Sequence, residues 1–382
     1  KIFNKYVKLQ YKNMSLGPYK IIGKKISYKG NKLYLRTQKI KEVRPPDFSK
    51  RHLEVKRNYK KWEALIKIWS AVFRGVNEFM EKRDVLLFDL PITTRMISSP
   101  GALTGTISSD VDPFQIKFFN TKTFLTQSSQ LYLEFAITNP KIDRVYCWEK
   151  SFRKEGTDFR HLPEFTHIEF ESNIGFKENL KFQQEFLQFL IGYLLKNCNK
   201  ELNVFLRQKD IKELKKFIKL KNFKQVTFHE AFRLLRERTQ NKKYNTVTIK
   251  NFGAYEEVLL TEIIGEPFFV THFIEDEVAF YHASDPQNPD LVINADFLFP
   301  GYGELIGSGE RVHTRKETRQ KAKHFKLNFK DYQAYIESRD PKNPRIHSGW
   351  GMGIERFIQV ILKLPFIWET KAFPRVDNQN RP

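Results

Sequence analysis

Ser151 to Glu171, SFRKEGTDFRHLPEFTHIEFE, concentrates more chemistry than any other stretch of this 382-residue chain. The run before it, Asp143-Arg-Val-Tyr-Cys-Trp148, has the composition of a strand, and Phe165-Thr-His-Ile-Glu-Phe-Glu171 alternates its side chains as a second one. The two predict a hairpin whose loop holds Arg153, Glu155, Arg160 and His161. Arg153 and Arg160 are planar, permanently charged forks that match phosphate geometry. Phe165, at the loop exit, offers an aromatic face to a purine. A surface hairpin whose arginines are simply solvated is the alternative.

Far along the chain stands Gly349-Trp-Gly-Met-Gly-Ile-Glu-Arg356, followed by the apolar run Phe357 to Leu364. Alternating glycines permit close backbone approach, and the arginine then projects from the first turn of a helix. Together, FRxE followed by RHLPEF and a later GxGxGxER resemble motifs 2 and 3 of the class II aminoacyl-tRNA synthetases. The resemblance covers residues 46 to 382 and fits best the aspartyl/asparaginyl branch, closest to its asparaginyl members. Arg51-His-Leu-Glu-Val-Lys-Arg57, Glu304-Leu-Ile-Gly-Ser-Gly-Glu-Arg311 and Phe373-Pro-Arg375 are similar to further segments of that branch. It implies an α+β fold, with a mainly antiparallel sheet of six or seven strands flanked by helices.

Sixty-six Lys and Arg against forty-four Asp and Glu leave a net charge of +22, enough to attract a polyanion by counterion release; a lysine-biased composition is the competing explanation. Cys147 and Cys198 form no CxxC pair, which argues against structural zinc or a disulfide framework and for a reducing, cytoplasmic setting. No apolar run is long enough to cross a bilayer, and no charged-then-apolar leader opens the chain.

Residues 1 to 45 hold thirteen Lys or Arg and one acid, Glu42, with short alternating runs around Lys29-Gly-Asn31. They predict a basic β appendage, which the resemblance suggests is a remnant of an OB-type anticodon-binding domain, ahead of a catalytic domain from 46 to 382. From Lys56 to Lys82 apolar residues recur at helical spacing, and an apolar strand, Val85 to Leu90, precedes Pro91. Residues 56 to 95 thus resemble motif 1, which implies a homodimer; an ordinary buried helix fits the same spacing. The small-residue loop Ile97 to Ser109 suits opening and closing over a ligand and lacks the acidic pair of aspartyl relatives. Residues 176 to 195 predict an amphipathic helix. Lys196 to Val226, with ten basic and three acidic residues, predicts a lysine-rich helical stretch, and Phe268 to Ile274 and Ala279 to Ala283 predict strands. Arg311 to Lys326 continues as a polar helix. His229, His272, His282, His313 and His347 share no metal-ligand spacing and read as core or surface histidines.

The resemblance also implies roles. Arg153 and Arg356 would be catalytic, and ATP would be bound by Arg153, Glu155, Arg160, His161, Phe165, Glu304 and Arg356. Glu304 and Asp296 would hold Mg²⁺, hard oxygen ligands being what that ion takes. Gln130, Glu134, Glu169 and Arg311 would bind the amino acid, with Glu171 more naturally a salt-bridge partner. Aspartyl relatives place a lysine where Leu133 stands, so a neutral amide is expected over a second carboxylate. The function so implied is ATP-dependent activation of asparagine and its transfer to a tRNA. Aspartate as substrate, a tRNA-independent adenylate-forming paralogue and a non-catalytic RNA-binding paralogue are the alternatives.

Overall fold

The computed structural model describes residues 45–100, 111–377 and 379, and within 1–44 the backbone of short strands only. Residues 101–110 of the small-residue loop lie outside the described residues.

One eight-stranded sheet organises the molecule. In chain order its strands are β1 (Leu86–Leu87), β2 (Arg144–Phe152), β3 (Glu164–Ser172), β4 (Lys224–Thr227), β5 (Phe268–Thr271), β6 (Asn294–Phe299), β7 (Gly303–Glu310) and β8 (Ser348–Gly353). Their spatial order is β4-β5-β6-β7-β8-β3-β2-β1. The six inner strands pair antiparallel, while β1 and β4 join the two edges in parallel. The sheet is therefore larger than the expected six or seven strands by its short edges. β4 emerges inside the lysine-rich stretch, which is not one helix but Asn199–Phe205, Gln208–Phe217 and then this strand.

Five helices frame the sheet and the cleft above it: α1 (Tyr59–Glu81), α2 (Gln130–Ala136), α3 (Phe176–Asn197), α4 (Ala254–Ile264) and α5 (Ile354–Leu362). The period-two pattern of β3 and β8 explains the layering. Ile168, Phe170, Trp350 and Met352 point to one face and join the main core beneath α1 and α3. Phe170 stacks on Phe182 of α3 at 4.4 Å, and Trp350 meets Phe186 of the same helix at 4.7 Å. Each such ring, fully buried, contributes about 1.5–3 kcal/mol. Gly349, Gly351 and Gly353, on the alternate positions of β8, face the other way.

The expected helix forms as α1, with one face buried. Trp62, Leu65, Ile68, Val72, Val76 and Phe79 are buried in the core, whereas Ile66 and Phe73 of the same helix are exposed. The Arg51–Arg57 helix is anchored by Arg51, which donates to the carbonyls of Ala372 and Trp368. The predicted strand Ala279 to Ala283 does not form: the segment turns, and only His282 makes a bridge, to Arg311. The polar helix is shorter than expected, Arg315–His324. In the amino-terminal region the backbone pairs Tyr19–Ile22 with Lys39–Glu42 and Ile26–Lys29 with Lys32–Leu35, the latter as the hairpin the sequence signals. No helix among the described residues is long and apolar enough to cross a membrane.

Candidate active site

The glycine face of β8 forms the floor of a cleft of about 390 Å³. Its glycines are required by the side chains of β3. The register pairs Glu171 with Gly349, Glu169 with Gly351 and His167 with Gly353. A Cβ added at Gly349 would lie 2.0 Å from Glu171 Oε1 and 2.3 Å from the Phe170 carbonyl; one at Gly351 would lie 2.8 Å from His167 Nε2. The bare strand leaves room for acidic and aromatic groups of its neighbour to lie across it. The two remote segments are also tied directly: the buried Glu355 carboxylate accepts the Thr166 N–H at 2.9 Å and pairs with Lys371.

Arg153, Glu155, Arg160, His161, Phe165, Asp296, Glu304 and Arg356 all line this cleft. The Arg153 guanidinium lies 5.3 Å over the Phe165 ring, which holds the fork in place without using its N–H donors. Arg356 leaves the first turn of α5 and donates to the Glu304 carbonyl and carboxylate, both at 3.0 Å. His161 is oriented by Asp158, 2.8 Å away. Arg160 departs from its expected place on the outer phosphates. Both of its Nη atoms donate to Glu257 of α4, and Glu257 in turn accepts the Glu304 N–H at 2.7 Å. Its fork is thus committed to bracing β7 against α4.

Asp296 and Glu304 converge over Gly307, where an added Cβ would lie 3.3 Å from Glu304 Oε1 and 3.7 Å from Asp296 Oδ1. Burial, with Glu304 and Glu257 nearby, pushes the Asp296 carboxyl well above its ordinary value. Such mutual repulsion is what a divalent cation relieves, so the donor set fits Mg²⁺. Elsewhere, among the described residues, Cys147, Glu149 and Glu169 bring ligand atoms within 4.8 Å of one another. These carboxylates already accept from Ser128 and Ser129, with the Ser129 N–H at 2.9 Å from Glu149 and 2.7 Å from Glu169.

At the other end of the cleft lie Gln130, Glu169 and Arg311, again as expected. Glu134 is a correction: it does not line the cleft but stands behind it, 1% exposed. Its carboxylate accepts from Gln130 Nε2 at 2.9 Å, from the Tyr335 hydroxyl at 2.9 Å and from Arg339, with His347 Nε2 at 3.0 Å. Because Glu134 must face donors, it fixes the Gln130 amide with its nitrogen inward and leaves the carbonyl oxygen as an acceptor. Arg311 donates from Nε and Nη2 to Glu171 Oε1, at 2.9 and 2.6 Å. Burial pushes the Glu171 carboxyl up to about 8, with this fork of two donors on one oxygen opposing the shift.

Burial would raise the carboxyls of Glu134 and Glu257, yet Arg339 and His347 in one case, and Arg160 in the other, pull both down to about 2. Each binds fewer protons folded than unfolded. Its stabilisation is therefore present above the ordinary 4.5 and is lost as pH falls toward 2. Glu134→Gln should flatten this acid limb in urea titrations from pH 7 to 3. At pH 7 it should cost about 3–5 kcal/mol, since Arg339 is left buried without a counter-charge.

A family model for class II tRNA synthetases (D, K and N) matches residues 45–377. The chain belongs to this family. An asparagine–tRNA ligase of Pelotomaculum thermopropionicum is 33% identical over 316 residues, which cover 82% of this chain and 69% of that protein. One of Thermococcus kodakarensis is 33% identical over 286 residues, or 74% of this chain and 64% of that one. Among solved structures, asparaginyl-tRNA synthetase of Pyrococcus horikoshii complexed with asparaginyl-adenylate is similar with a TM-score of 0.76 and 27% identity, covering 92% of this chain and 81% of that one.

In this class II synthetase several site residues carried no sequence signal. Glu257 sits in the plain helical run Ala254–Ile264, and Arg339 in a loop after the Phe329–Glu337 helix. His282 and His347, read as core or surface histidines, prove to be a cleft wall and a Glu134 partner. Each becomes recognisable only once remote segments are brought together.

Proposed function

We propose that this chain activates asparagine with ATP and transfers it to the 3′ end of a tRNA. The substrate α-carboxylate attacks the α-phosphorus of ATP, pyrophosphate leaves, and a ribose hydroxyl of the tRNA then takes the asparaginyl group as AMP departs. Activation needs no side-chain nucleophile; positioning two anions and absorbing the developing charge is the enzyme's work. Arg153, whose guanidinium N–H donors have no partner among the described residues, takes the α-phosphate and the incoming carboxylate. Glu155 accepts from the adenine amino group, Phe165 and Arg356 hold the purine between them, and His161 and Arg356 meet the outer phosphates. Arg160 acts through Glu257 as a positioning residue. Glu304 and Asp296 would hold Mg²⁺, which when bound offsets the phosphate charge. Gln130 and Glu169 receive the α-ammonium.

The observation that carries the choice of asparagine is the charge at the end of the amino-acid pocket. Arg311 is already hydrogen-bonded to Glu171, and where the resemblance to aspartyl relatives would put a lysine this chain has Leu133, packed against Ile137, Val145 and Cys147. A neutral carboxamide fits there, whereas a carboxylate would be left uncompensated. The names of the similar proteins support the same choice. Ile66 and Phe73 of α1, Leu86 and Leu87 of β1, and Phe88 and Ile92 after it are exposed apolar side chains. They support a homodimer through residues 56 to 95. The free, buried Cys147 and Cys198 fit a reducing cytoplasm. The basic strands before residue 45 fit a tRNA-contacting remnant of an anticodon-binding domain.

Pyrophosphate exchange into ATP should run with asparagine and not with aspartate, and labelled asparagine should charge bulk tRNA. Exchange with aspartate alone would overturn the substrate, and exchange without charging would overturn the acceptor.

A further inference from the structure

His282 stands opposite Arg311 in an isolated antiparallel bridge, so both side chains leave the same face of the ladder. The backbone on either side is pinned by Ala283 N–H to Glu310 and Val312 N–H to Tyr281, both at 2.9 Å. The imidazole fills the space over Gly309, where an added Cβ would lie 2.4 Å from His282 Nδ1. Gly309 pairs with Gly349 across β7 and β8, and Gly349 is the residue that Glu171 covers. Imidazole and carboxylate therefore lie over neighbouring glycines on adjacent strands, about 4.8 Å apart.

Each carries a buried polar atom with no partner among the described residues: His282 Nδ1 and Glu171 Oε2. A buried polar atom left unpaired is costly, and His282, which lines the cleft, carries one over the glycine next to that covered by Glu171. A side-chain carboxamide has a donor nitrogen and an acceptor oxygen, so it can satisfy a carboxylate oxygen and a neutral ring nitrogen together. We propose that His282 reads the side-chain carboxamide of the amino-acid substrate and is a specificity-determining residue of this site. This rests on asparagine being the substrate. The groups that face the ring support it: burial, then Arg311, then Lys321, which donates to the His282 carbonyl at 2.5 Å, hold the imidazole well below its ordinary value, with Glu134 opposing. The ring stays neutral and adds no cation that would welcome aspartate.

The test is exchange with asparagine and with aspartate by the full chain and its His282→Met and His282→Gln variants. His282→Met should raise the asparagine KM about tenfold to a hundredfold, leave the ATP KM unchanged, and narrow the asparagine-to-aspartate ratio of kcat/KM. His282→Gln, which keeps a neutral hydrogen-bonding end, should recover most of that loss. Heat unfolding with ATP alone should show the same stabilisation in the Met variant as in the parent. An unchanged asparagine KM in the Met variant, or a loss that Gln does not mend, would overturn the role of His282. A parent chain inactive toward asparagine would overturn the functional reading and this inference together, whereas an active parent with an unaffected Met variant would overturn this inference alone.

Discussion

Arg356→Ala should lower asparagine-dependent pyrophosphate exchange about a thousandfold or more while leaving the fold intact. Arg356 is proposed to meet both the purine and the outer phosphates, so its loss removes a charge-assisted contact from the state in which phosphate charge shifts. The fold has little stake in it. The side chain is 15% exposed and its one ion pair, with Glu304, sits at the mouth of the cleft rather than in the core. Stability by urea titration should therefore move by no more than about 1 kcal/mol. Arg356→Lys should recover little, because a compact ammonium cannot lie flat on a ring. Retention of exchange by the Ala variant would sink the proposed ATP site.

Gly349→Ala should have the opposite profile, a collapse of stability from a single methyl group. The added Cβ would meet not only the Glu171 carboxylate at 2.0 Å but also the backbone carbonyl of Phe170 at 2.3 Å. A flexible side chain can swing aside; a central strand of the sheet cannot. Overpacking that forces backbone apart costs about 3 kcal/mol or more. It would also push Glu171 off Arg311 and so spoil the amino-acid pocket. Gly192→Ala provides the contrast, since nothing lies within 4 Å of that position in α3, and alanine there should add about 0.5–1 kcal/mol. Equal stability of the two variants would show that the glycines of β8 are not held by their neighbours.

The same glycine shows where sequence reading succeeds and where it changes meaning. GxGxGxER is legible as a strand opening a helix, and Arg356 does leave the first turn of α5. The alternation reads, on its own, as room for a ligand to approach the backbone. In the structure much of that room is taken by Glu171, His167 and Phe165 from β3, and the ligand cleft lies above them. The hairpin is legible because side-chain alternation is local, and its observed strands, Arg144–Phe152 and Glu164–Ser172, only lengthen what the pattern implies. The edge strand β1 falls inside the expected strand Val85 to Leu90, whereas β4 is not legible, since four residues among lysines carry no periodic signal of their own.

Among the expected site residues, those in a fixed local pattern, Arg153, Glu155, Phe165, Glu304, Arg311 and Arg356, line one cleft. Assignments that depend on what stands opposite are revised. Glu134 looks like a ligand for the substrate and is instead clamped by Arg339, which lies 205 residues further on. Arg160 looks like a phosphate ligand and is held by Glu257, 97 residues away.

The sequence by itself determined the family, the alternation that sends aromatic rings to one face of the sheet and glycines to the other, and the arginine-bearing segments that meet at the cleft, because periodicity and backbone freedom are properties of neighbouring residues. Only the tertiary structure decided which charges are free and which are already paired, and that His282 and Glu171 share an unsatisfied corner. Ionic and hydrogen-bonding partners are chosen by distance in space, and burial makes those few choices decisive.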